Sequence, residues 1–133
     1  MLILPILSFS QNIDKHQWKD RLLLVIADSD QNAKLIQQLQ EFEKNKEQLK
    51  ERKLIIYQIT PTSYREGLGK NEITKSNNLY KKYNSSKKNF KIILIGLDGG
   101  IKMESFDFVS SNKVYDKIDQ MPMRKQELKT KNK

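Results

Sequence analysis

The chain has 133 residues, enough for one domain that buries a core without help from a disulfide or a metal. It has no cysteine and one histidine, which excludes thiol nucleophiles, cysteine-type zinc sites and any cluster of histidine ligands. The net charge of +9 is uneven: residues 1–80 carry 12 basic against 10 acidic side chains, and residues 81–133 carry 13 against 6. A basic half is open to an acidic partner, anionic lipid or nucleic acid, but no aromatic-basic interleaving or nucleic-acid motif accompanies the charge. Part of the excess falls in the tail after Gln126, and residues 129–133 read as a solvated, disordered basic end.

The first ten residues, MLILPILSFS, have the apolar run and small-residue end of a secretory signal, although the basic start is missing. The run is too short to span a bilayer as a helix. The expectation is a signal-peptide remnant at 1–10, a domain over 11–128, and export to the periplasm or the outside. The alternative is an N-terminal strand in a cytoplasmic protein. His16 lies in a polar stretch with no evident partner and reads as an exposed bystander. Trp18 is expected to pack over a sheet edge, with Arg21 leading the first strand.

Arg21 to Ala27, RLLLVIA, is an apolar run bounded by charge, the pattern of a strand covered on both faces. Asp28 with Gln31 has capping-box spacing, so a helix is expected to begin there. Leu35, Ile36, Leu39, Phe42 and Leu49 fall on one stripe, which predicts a long amphipathic helix ending near Arg52. Leu54 to Ile59 reads as a second strand, parallel to the first through a right-handed helical crossover. Thr60-Pro61-Thr62 stops it, and residues 61–73 read as a loop. A short helix is predicted from Lys75 to Tyr83, then a third strand at Phe90–Ile95.

The third strand runs into Asp98-Gly99-Gly100. A phosphate-cradling loop needs its glycines between a strand and a helix, with a Lys-Ser/Thr pair or a third glycine behind them. Here Ile101 to Phe106 alternates with period two, so Asp98, Gly99 and Gly100 form a hairpin turn into a half-exposed edge strand. Ser110 or Ser111 can cap a helix carrying Val114, Tyr115 and Ile118. Pro122 breaks it and suits the start of a last helical segment, Met123 to Leu128.

The element order, β-α-β-α-β-β-α, predicts an α/β domain with a four-stranded mixed sheet flanked by helices. This is the order of the thioredoxin-like fold. Trp18-Lys19-Asp20-Arg21 before LLLVIA, then LKERKLIIYQI, FKIILIGLDGGIKMES and IDQMPMRKQEL, together cover about residues 14–128. They resemble a domain of unknown function shared by small exported bacterial proteins and vertebrate extracellular-matrix proteins of the sushi-repeat and equarin types. The resemblance implies a thioredoxin-like, peroxiredoxin-related domain. In thioredoxins the reactive cysteines sit where the first strand meets the first helix, where the helix N-terminus lowers a thiol pKa. That place here holds Ala27-Asp28-Ser29-Asp30-Gln31-Asn32, and Asn89 rather than proline precedes the third strand.

Other site readings are few. Asp28, Asp30 and Asn32 open like a calcium loop, but Ala33 and Leu39 stand where that loop needs Gly and Glu, so helix capping is the better account. Asp28 and Asp30 as an acid–base pair lack an activating neighbour. Arg124 either presents a planar cation to a carboxylate or phosphate, or pairs with Glu127 or an aspartate elsewhere. The expected function is a non-catalytic exported module, without thiol redox chemistry or cofactor, that binds a protein or envelope component. Its binding surface would draw on Asp28, Asp30, Arg124, Trp18 and Arg21. The alternatives are a cysteine-independent enzyme or small-ligand binder at the Asp28–Asn32 edge, or electrostatic attachment to nucleic acid or anionic membrane.

Overall fold

The computed structural model describes residues 11–69 and 72–131, so the proposed signal remnant at 1–10 lies outside the described residues. The elements are α1 (Gln11–Asp14), β1 (Arg21–Ala27), α2 (Ala33–Glu43), α3 (Lys46–Glu51), β2 (Leu54–Thr60), β3 (Ser63–Glu66), β4 (Thr74–Lys75), α4 (Asn78–Tyr83), β5 (Phe90–Ile95), β6 (Ile101–Ser105), α5 (Ser111–Asp119) and α6 (Pro122–Lys131). They build one mixed sheet in the order β4-β3-β2-β1-β5-β6. β1 pairs parallel with β2 and antiparallel with β5, as a covered central strand requires.

All seven residues of β1 are buried because the pleat sends alternate side chains to two separate cores. Leu23, Val25 and Ala27 face a cluster with Leu35 and Phe42 of α2, Leu49 of α3, and Val114, Tyr115 and Ile118 of α5. Leu22, Leu24 and Ile26 face a second cluster with Ile13, Tyr57, Ile59, Tyr64 and Leu79. Helices on both faces thus account for the unbroken apolar run.

Five expectations need correction. The sheet has six strands rather than four, because residues 61–73 are not simply a loop. Thr60 pairs with Ser63, so Pro61 and Thr62 are the two central residues of a tight hairpin turn rather than the end of the sheet. β3 places only Tyr64 in the core, too little for a periodic signal. The long helix is two helices, divided at Asn45, whose backbone is extended at φ −151°. The cap of α2 is Asn32, not Asp28: its side chain accepts from the backbone N–H of Lys34 at 2.8 Å and Leu35 at 3.3 Å. The last helix continues past Leu128 to Lys131, which takes up the start of the expected disordered tail. The short helix begins at Asn78 rather than Lys75, which belongs to β4.

The Asp98 turn is as expected. Gly99 has φ +85°, a conformation costly for any residue with a Cβ. The Gly100 N–H donates to the Asp98 carboxylate at 2.9 Å, and Lys102 Nζ donates to its other oxygen at 3.0 Å. Those two contacts, the backbone one foremost, hold the Asp98 carboxyl below its ordinary pKa.

α5 is anchored by a side chain acting as backbone. Gln38 of α2 is fully buried; its Nε2 donates to the Val109 carbonyl at 2.7 Å and its Oε1 accepts from the Val109 N–H at 2.9 Å. Gln38→Ala leaves both Val109 groups buried without that partner, at about 1–3 kcal/mol each. The expected result is a lower urea midpoint with an unchanged slope; Gln38→Glu, which would bury a carboxylate oxygen against the Val109 carbonyl, is expected to lower the midpoint at least as far.

Candidate functional site

The two ends of β1 carry different chemistry. At its C-terminal end, where thioredoxins hold their thiols, the side chains are occupied with one another. Asn32 Nδ2 donates to Asp28 Oδ1 at 2.9 Å and to the Asn89 carbonyl at 3.0 Å, tying the head of α2 to the start of β5. Gln31 Nε2 donates to Asp30 Oδ1 at 3.3 Å. Asp28 and Asp30 are both exposed, and of the D-x-D-x-N residues only Asn32 caps the helix. A cleft of about 360 Å³ lies beside this corner, bordered by Asp28, Asn32, Lys34, Lys88 and Phe106. Among the described residues no group of three or more His, Asp or Glu side chains is placed to hold a metal ion.

At the N-terminal end of β1, three arginines and three carboxylates form a lattice joining four elements. Arg21 is fully buried, and its two terminal nitrogens grip Glu127 of α6 at 3.3 and 3.2 Å while Nη1 also donates to the Arg52 carbonyl at 2.8 Å. Arg52 holds Asp119 at the end of α5 in a two-point pairing, 3.1 and 2.9 Å, and its guanidinium lies 4.5 Å from the Tyr115 ring centre. Arg124, buried, donates to Asp119 at 3.0 Å, Glu51 at 3.1 Å and Glu127 at 3.4 Å. The pairing reading of Arg124 therefore describes its position, and its charge is not presented to solvent. Burial favours a protonated Asp119, but hydrogen bonds from Arg52 and Arg124 outweigh burial and hold its pKa below the ordinary value.

His16 is not an exposed bystander. It is buried, with Nδ1 2.7 Å from Asp20 Oδ2 and Nε2 2.9 Å from the Tyr57 hydroxyl. Tyr57 in turn donates to Glu66 at 3.2 Å; burial first, and then the Glu66 charge, push its hydroxyl well above its ordinary pKa. This chain pins the segment before β1 to β2 and β3. Asp20, four residues after His16, was the one local sequence signal for it.

Trp18 also departs from expectation. Rather than packing over the sheet edge, it is 61% exposed, with φ +70° and its N–H donating to the Leu97 carbonyl at 2.7 Å. Leu97 and Met123 each border two neighbouring cavities, one reached by Trp18 and the other by Ile101. Pro122, expected as a helix break, is the first residue of α6 and borders the Ile101 cavity. The structure thus brings Trp18, Arg21 and Arg124 to one end of the sheet and leaves Asp28 and Asp30 at the other, about 20 Å away along the seven residues of β1.

Residues 12–127 match the family model described as a domain of unknown function, DUF4174. No curated protein matches the chain. Among solved structures, the reduced 2-Cys peroxiredoxin of Plasmodium vivax is similar, with a TM-score of 0.61 at 13% identity over 86% of this chain and 72% of that one. At that identity the likeness concerns the fold. Among the described residues no helix is long and apolar enough to cross a membrane.

Three outcomes follow from this geometry. Arg124→Ala removes one partner from each of three partly buried carboxylates, while Asp119 keeps Arg52 and Glu127 keeps Arg21; it is expected to cost about 2–4 kcal/mol, so loss of function in that variant would report unfolding unless stability is measured beside it. The depressed Asp119 pKa contributes stability that is complete above the unfolded value of about 4 and lost as pH falls through the lower folded value. Thermal melts are expected to decline steeply below about pH 4 in the wild type and less steeply in Asp119→Asn, which starts lower at neutral pH. Trp18→Gly, by contrast, relieves a left-handed conformation without removing core packing, and its melting temperature is expected to rise by a shift equivalent to up to about 1 kcal/mol.

Proposed function

The chain belongs to the DUF4174 family, and on that premise we propose that it is an exported, non-catalytic thioredoxin-like module that acts by binding a protein or another envelope component. The observation that carries this reading is the corner between β1 and α2. The fold is kept there, while the place of the reactive thiols is taken by Asp28, Asn32 and the Asn89 carbonyl, engaged with one another. With no cysteine in the sequence, this polypeptide offers no thiolate to attack a peroxide or a disulfide. Its exposed chemistry is a basic surface with apolar groups, which suits recognition. Export is supported by the apolar MLILPILSFS start and by the resemblance to small exported bacterial proteins and vertebrate matrix proteins.

A second reading has one observation in its favour. The 360 Å³ cleft beside Asp28 and Asn32 is large enough for a small molecule, and Lys34 and Lys88 on its border would favour an anionic one. A cysteine-independent ligand-binding role belongs there. It is supported if a small anion raises the melting temperature of the wild type and not of Lys88→Glu.

The binding reading is tested with the purified full chain. Peroxide and insulin-disulfide turnover are expected at background rates with or without added thiol reductant, and an envelope extract from the native host is expected to yield one stoichiometric partner. Enzymatic turnover by the metal-free, cofactor-free polypeptide would overturn the reading. Fractionation of a Met1-retaining chain with the cytosol would overturn export alone.

A further inference from the structure

The surface at the N-terminal end of β1 has the features of a docking face. Its cavities, about 520 and 670 Å³, share Leu97 and Met123 and so form one continuous surface. Three large apolar side chains stand open on it: Trp18 at 61%, Ile101 at 50% and Met123 at 45% exposure. Such side chains scattered singly need no explanation, but a cluster around shared cavities marks an interaction site. Trp18 is moreover displayed by a φ of +70°, an outlier for a bulky side chain, and it lends the surface the residue type most often found at the energetic centre of interfaces.

The charge on this surface is one-sided. Its carboxylates are committed: Asp98 to Lys102 at 3.0 Å, Glu51 to Arg124 at 3.1 Å and Glu127 to Arg21 at 3.2 Å. Lys53 and Lys117 border the same cavities, both exposed, with no ion pair among the described residues. A nucleic-acid backbone would be met by a stripe of cations, whereas here two lysines flank an apolar floor. A second copy of a chain with net charge +9 would bring like charges together.

We propose that this surface docks an acidic, apolar segment of a partner protein: Trp18, Ile101 and Met123 receive its apolar side chains, and Lys53 and Lys117 its carboxylates. The proposal rests on the reading that the chain works by binding a protein, and it places that binding at the end of the sheet opposite the thiol corner.

Trp18 is the single tryptophan, so its fluorescence reports on this surface alone. The probe is a synthetic peptide alternating Leu or Phe with Glu, titrated into the full chain. The expected result is a saturable blue shift, absent with a peptide carrying Lys for Glu. Affinity should weaken roughly tenfold in Met123→Glu and several-fold in Lys117→Glu, with no change in the distant Asp30→Lys. Circular dichroism melts establish that each variant is folded. Equal binding of both peptides, indifference to Met123→Glu, a shift only with phosphatidylserine vesicles, or a concentration-dependent shift without peptide would each overturn the proposal. If Met123→Glu still retains the partner captured from the envelope, the docking face is wrong and the binding reading stands. If the wild type captures no partner and shifts with no peptide, both fall.

Discussion

A guanidinium at the head of the central strand, sealed from water, constrains what surrounds it. Arg21 needs carboxylate partners, and the chain brings Glu127 from α6 to meet it. Glu127 is shared with Arg124, which holds Glu51 and Asp119, and Asp119 is shared with Arg52. The last two helices are joined to the sheet's end by this chain of pairs, and α5 adds apolar packing through Val114, Tyr115 and Ile118. An apolar replacement of the whole set could be as stable, but removal of one member leaves another's charge buried and unmatched. The lattice also consumes the arginines that sequence alone offers as recognition groups and leaves lysines and apolar side chains at its margin.

The two ends of β1 divide fold from chemistry. Similarity to a peroxiredoxin at 13% identity describes how strands and helices are laid out. What a thioredoxin-like domain does depends on a few positions at one corner, and there this chain has invested in mutual hydrogen bonds. A scaffold of this kind remains rigid when its reactive group is absent, because β1 and its two cores do not use that corner for packing. The same rigidity makes the opposite end available for presenting side chains.

The central part of the fold was legible because its signals are local and strong. RLLLVIA, LIIYQI and FKIILI carry the apolar runs of covered strands, and Asp98-Gly99-Gly100 carries the turn chemistry of a hairpin. The outer strands were not legible: Ser63–Glu66 buries a single tyrosine, and Pro61 punctuates a turn as readily as it ends a sheet. The site was harder still. Glu127 as a partner of Arg124 was legible three residues on, but the partner of Arg21 stands 106 positions away and the Glu51 that completes the Arg124 set stands 73 away. His16 was misplaced for the same reason, since Tyr57 lies 41 residues on. The exposure of Trp18 was not legible either, since nothing in the neighbouring residues announces a left-handed backbone.

The margins of the sheet have a bearing on life in crowded or chaperone-poor surroundings. β4 is only Thr74–Lys75, and both residues are exposed. β6 alternates Ile101, Lys102, Met103 and Glu104, with an irregularity in its pairing at Leu94/Ile95. A long, flat, apolar rim would template strand addition by another molecule; a two-residue stub and a charged, distorted ribbon do not. This sheet is therefore guarded on both flanks against fibril-like growth, and the molecule can display open apolar side chains, Ile101 of β6 among them, without also inviting uncontrolled self-assembly through its backbone.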